Sequence, residues 1–117
     1  MSRVLLLSLL VLFASSAPAN ERISDRVTFL NLVLDKTLSL PLFRIRLHVN
    51  EEGTIQGKGM GRSVSGFWKW QDGYFCRTLN WGGLDLSSNC QRVTLDNGRL
   101  IFTSDRGSGA SAKFSLN

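Results

Sequence analysis

Apolar and polar positions alternate along most of the chain beyond residue 38, with the two-residue period of half-buried strands. The cleanest instance is Phe43-Arg44-Ile45-Arg46-Leu47-His48-Val49. Glu51-Glu52-Gly53 follows, a three-residue loop with glycine in the left-handed position. That loop sets Val49 beside Ile55, and Leu47, Ile45 and Phe43 beside Gly57, Gly59 and Gly61. Bulky side chains therefore face a strip of bare backbone, which a ring or helix from elsewhere can approach closely. The opposite face lines up Arg44, Arg46 and His48 against Met60, Lys58 and Gln56.

Residues 62–91 hold all three tryptophans and both cysteines. Two β-prone runs, 63–70 and 74–80, flank Gln71-Asp72-Gly73, a hairpin signal with two readings. A two-residue Asp72-Gly73 turn sets Trp70 opposite Phe75, and Trp68 opposite Arg77 in reach of a cation–π contact. A three-residue loop with a G1 bulge instead puts Trp70 by Tyr74 and Trp68 by Cys76. We favour the second, because it gathers Val64, Trp68, Trp70 and Cys76 on one face, where large rings would cover a cystine.

Residues 91–95 and 99–103 form a further hairpin around Asn97-Gly98, with Leu95 beside Leu100, Val93 beside Phe102, and Asp96 paired with Arg99 at the turn. Residues 105–109 make a last polar turn, and Ala112, Phe114 and Leu116 alternate along a closing strand. Helical spacing occurs before all of this, at Val27, Leu30, Val33 and Leu34 with Ser24 or Asp25 as cap, which predicts a helix over 25–34. The expected fold is mainly β: an N-terminal helix and six or seven sequential antiparallel strands, forming a small meander barrel or a highly twisted sheet.

The first 19 residues change the picture. Arg3, an apolar run over 4–14 and Ala17-Pro18-Ala19 have the layout of a secretory leader, and the run falls short of the roughly 20 apolar residues of a membrane span. Cleavage after Ala19 leaves about 98 residues, one small domain over 20–117, and no lipobox cysteine follows, so a soluble periplasmic or secreted product is expected. In an oxidising compartment the two cysteines imply a Cys76–Cys90 disulfide; they lack the C-x-x-C spacing of a redox pair. The charge of the mature chain, about +4, is spread without a basic run, which argues against a nucleic-acid partner.

Few residues carry catalytic chemistry. His48, the single histidine, alternates onto a polar strand face, and the carboxylates fall mostly at turns or at the helix start. There is no His/Cys cluster for a metal. Gly57-Lys58-Gly59-Met60-Gly61-Arg62 superficially resembles a dinucleotide loop, but a β-prone run follows it where a helix would be required, so no nucleotide cofactor is implied.

The pattern W-x-W-x-D-G-Y-F-C-R over 68–77, with Asn80-Trp81-Gly82-Gly83, Asn89-Cys90-Gln91 and Phe102-Thr103-Ser104-Asp105-Arg106-Gly107, resembles a group of small exported α-proteobacterial proteins of unassigned role. Members often carry the name dihydrodipicolinate reductase. The name implies an NAD(P)H-dependent cytoplasmic enzyme of lysine synthesis, which conflicts with the leader, the missing Rossmann unit and the short chain.

Two function classes follow. The first is a non-enzymatic envelope module that binds a small ligand, glycan or partner protein, with a pocket of Trp81, Arg77, Asn89, Gln91 and Arg106. The second is an enzyme, the reductase of the name or a small hydrolase using scattered acids. Separately, Arg44, Arg46, His48 and Lys58 form a candidate face for weak contact with anionic lipid or acidic glycan.

Overall fold

The Asp72-Gly73 and Asn97-Gly98 turns, both with positive φ at each residue, close two-residue hairpins whose twist matches that of their strands. Together with the loop at Gly53 they build a meander, seen here in a computed structural model describing residues 20–117. The leader expected over 1–19 lies outside the described residues. Nine strands form among the described residues: β1 (Glu21–Ile23), β2 (Leu38–Leu40), β3 (Ile45–Val49), β4 (Thr54–Gly59), β5 (Arg62–Gln71), β6 (Tyr74–Trp81), β7 (Leu84–Asp96), β8 (Arg99–Thr103) and β9 (Ser111–Leu116). That is more than the six or seven expected; β1, a three-residue strand, carries too little alternation to register in the sequence.

From β2 to β9 each strand pairs with the next, and β9 returns to pair with β2, so eight antiparallel strands close into a barrel. The long β7 makes closure possible. Its residues 84–91 pair with β6 and its residues 92–96 with β8, while β1 continues the β6 edge by pairing Glu21–Ile23 with Leu95–Val93. Alternation sends Ile45, Leu47, Val49, Val64, Trp68, Phe75, Phe102 and Phe114 inward, and leaves Arg46, His48, Gln56, Lys58, Ser65 and Lys69 outside. This is the reverse of a barrel that spans a membrane with strands.

A helix, α1 (Arg26–Val33), packs on the barrel. Asp25 caps it, accepting from Thr28 N and Thr28 Oγ1, each at 2.9 Å. The helix buries Phe29, Leu30 and Val33, and the Phe29 ring lies 5.1 Å from those of Trp70 and Phe75 and 5.5 Å from Trp68. Trp70 Nε1 donates to Ser24 O and Arg26 donates to Glu51 O, which ties the helix to the barrel end carrying the β3–β4 and β5–β6 loops.

Three expectations are corrected. The Asp72-Gly73 hairpin has the two-residue register, with Trp70 opposite Phe75 and Trp68 opposite Arg77; the bulge lies instead between β6 and β7, at residues 77–79. Cys76 consequently faces away from Trp68, and the cation over Trp68 is Arg26. Strand β3 starts at Ile45, because Pro41–Phe43 form a 3₁₀ turn that Arg44 ends at φ 50°, which takes Phe43 and Arg44 off the strand face. Asp96 stands opposite Arg99, as expected, but its ion pair is with Lys113 at 2.8 Å.

Candidate functional site

Strands β6 and β7 meet at Cys76 and Cys90, directly opposed with Cα atoms 3.9 Å apart and joined by a disulfide. The bond holds together the two strands that carry most of the expected binding residues. Because directly opposed residues share a face, the pairing of Trp68 with Arg77 and of Trp70 with Phe75 turns the Arg77 side chain toward the barrel axis. On β7, Gln91 stands opposite Phe75 and follows it inward.

Arg77 and Gln91 are the two polar liners of an interior cavity of about 180 Å³. The other nine are Leu38, Leu47, Val49, Ile55, Phe75, Leu79, Phe102, Ala112 and Phe114, and with Gln91 the lining draws on seven of the eight barrel strands. Gln91 Nε2 donates to Ser104 Oγ at 3.3 Å. Arg77 Nη1 donates to Ser87 O at 2.8 Å. Among the described residues the single ion pair is Lys113 with Asp96, so no carboxylate stands within 4 Å of Arg77. Burial lowers its pKa from the ordinary arginine value, and the guanidinium remains charged. A half-buried cation with one carbonyl partner, set among apolar side chains, is an incomplete electrostatic arrangement that an anion would complete.

No family model, curated protein or solved structure matches this chain. Its functional reading therefore comes from the site.

The remaining expected residues lie elsewhere. Trp81 faces inward nearer the rim, where Nε1 donates to Gly59 O at 2.7 Å and Arg62 stacks over the ring. The bare Gly59 backbone is thus approached by a ring, as the glycine strip implies. Asn89 is opposite Arg77 in register, but its amide makes reciprocal bonds with Asp105, Nδ2 to Oδ1 at 2.8 Å and Oδ1 from N at 2.9 Å. Asn89 shapes the helical turn Ser104–Gly107 and does not line the cavity. Arg106 leaves the group altogether: at φ 53° in that turn, it stacks over Tyr74 on the outside of the barrel. A more open depression of about 440 Å³ beside the disulfide is lined by Arg77 and Asn89 together with Phe67, Lys69 and Ser88, so Arg77 borders both spaces.

Of the candidate anion face, Arg46 and Lys58 are directly opposed and His48 stands opposite Gln56, all exposed; Arg44 sits at the end of the 3₁₀ turn. The apolar liners were present as alternating positions in the sequence, yet that pattern does not tell which strands face one another across a closed barrel. Among the described residues no three His, Cys, Asp or Glu side chains gather to hold a metal ion.

Proposed function

We propose that this chain is a small exported, non-enzymatic module whose barrel takes a short aliphatic ligand ending in an anionic group, of which a carboxylate is the simplest. The observation that carries the reading is Arg77, a cation turned into an apolar cavity with Ser87 O as its partner and no carboxylate in reach. A carboxylate there would form a charge-assisted pair in a medium where such pairs are strong, while its chain lies against Leu47, Leu79, Phe102 and Phe114. The cavity of about 180 Å³ is smaller than the ~300–1,000 Å³ of drug-sized sites, which favours a short chain over a long-chain lipid or a sugar polymer. The disulfide is compatible with life outside the cytosol, and the leader-like first 19 residues support periplasmic or secreted placement.

Titration calorimetry tests the reading. Straight-chain carboxylates of about six to ten carbons are compared with alcohols of equal length. We expect the carboxylates to bind at least ten-fold more tightly, a charge-assisted contact being worth about 1.5–3 kcal/mol. Equal affinity for acid and alcohol, or no binding by either, refutes it.

A further inference from the structure

Six large hydrophobic side chains are exposed among the described residues, and four of them, Leu42, Phe43, Met60 and Leu84, are grouped at one end of the barrel. They sit in or beside the β2–β3, β4–β5 and β6–β7 connections, which in an up-and-down meander emerge at the same rim, the one opposite α1. Singly exposed apolar side chains need no explanation, but a group on one rim does. Leu42 is 83 % exposed, Met60 61 % and Phe43 49 %.

Cations border the same group. Arg44, Arg46 and Lys58 line a surface depression of about 510 Å³ that also includes Pro41 and Gly61, and so joins the loops that carry Leu42 and Met60. No Asp or Glu lines it. Arg46 lies directly across from Lys58, an arrangement of like charges that costs stability and is not relieved by an ion pair within 4 Å. Apolar side chains projecting from loops, flanked by unneutralised cations, match a surface whose apolar layer lies beneath anionic groups.

We infer that this rim docks on an anionic lipid bilayer. Leu42, Phe43 and Met60 enter the headgroup boundary while Arg44, Arg46 and Lys58 contact lipid phosphates. An acidic glycan would engage the cations alone and leave the apolar loops in water. The docking is independent of what the barrel interior holds.

Co-sedimentation of residues 20–117 with vesicles decides the matter, using phosphatidylcholine alone and phosphatidylcholine mixed with phosphatidylglycerol, at low and high salt. We expect binding to the mixed vesicles, little to the neutral ones, and loss of binding as salt rises. Arg46→Thr with Lys58→Thr should weaken it about 25-fold, five-fold for each cation removed. Leu42→Ser with Phe43→Ser should weaken it ten-fold or more while leaving retention on heparin unchanged. If either pair unfolds the protein, Lys58→Thr and Phe43→Ser alone carry the same test. Equal binding to neutral vesicles, no binding to anionic ones at low salt, or wild-type binding by the Leu42/Phe43 variant would each overturn the inference.

Discussion

Replacing Arg77 by methionine separates a binding cation from a structural one, because the two roles predict opposite signs for stability. The variant loses one hydrogen bond, Arg77 Nη1 to Ser87 O, and since Ser87 is exposed its carbonyl can return to water. That loss is worth about 1 kcal/mol net. In exchange, a desolvated charge is removed and a thioether chain of similar length fills part of the cavity between Leu79 and Phe102. Burying a methionine yields roughly 1.5–3 kcal/mol; half of that is a fair discount for a side chain that is only half-buried. The expected balance is a gain of about 0–1 kcal/mol, seen as a melting temperature unchanged or raised by several degrees for a domain of this size. Thermal and urea unfolding followed by tryptophan fluorescence would measure it, with carboxylate binding measured on the same sample. The reasoning predicts equal or higher stability together with loss of preference for acid over alcohol. A melting temperature lowered by five degrees or more, with that preference intact, would show that Arg77 holds the β6–β7 bulge and does not serve a ligand.

Other outcomes follow from single contacts. Gly57→Ala should destabilise by about 1–3 kcal/mol, since its Cβ would run into the Arg46 carbonyl, whereas Gly59→Ala should be neutral or stabilising by about 0.4–1 kcal/mol, its Cβ meeting Ile45, Trp81 and Val64 at 3.5–3.6 Å; paired urea titrations compare the two. Replacing Cys76 and Cys90 by serine should cost about 3 kcal/mol, the chain entropy of the loop they close, read as a lower urea midpoint. Hydrogen bonds from Thr28 N and Thr28 Oγ1 hold the Asp25 carboxyl below its ordinary pKa of 3.8. Its contribution is therefore complete above that pH and lost as pH falls through the lower folded value. Asp25→Ala should melt below the wild type at pH 7, with the gap closing below about pH 4; a gap that persists at pH 2 would contradict the cap assignment.

Glu51-Glu52-Gly53 and Asn97-Gly98 determine registers through turn geometry alone, and the pairs they predict, Arg46 with Lys58 and Val93 with Phe102, are present. The Asp72-Gly73 hairpin failed because its register is decided at long range. The Phe29 ring of α1 packs against Trp68, Trp70 and Phe75 together, which requires all three on the inner face and sends Cys76 outside. Of the five residues grouped near the cysteines, Arg77 and Gln91 line the interior cavity and the other three do not. Asn89 is committed to Asp105, and the left-handed turn swings Arg106 outward. Neither is visible without knowing where residues 104–107 return against β7.

The barrel is closed by its shortest ladder, and this makes the protein's opening directional. Strands β2 and β9 share two register pairs, Leu38 with Leu116 and Ser39 with Ser115, extended by the mutual backbone bonds of Thr37 and Asn117 and by Asn117 Nδ2 on Ser39 Oγ. Ser39 and Asn117 lie 78 apart in sequence, so nearly the whole barrel must be laid down before the seam can form, whereas the cystine joins neighbouring strands and can form early. The seam is then the last part to close and the first to breathe. Leu38 and Phe114 line the cavity from β2 and β9, so a parting of the two strands would open a lateral slit into the interior. Amides of β2 and β9 should exchange with solvent deuterium well ahead of those in β5, β6 and β7. A ligand in the cavity would slow that exchange by filling the space behind the slit, working as a bolt on a door it had itself come through.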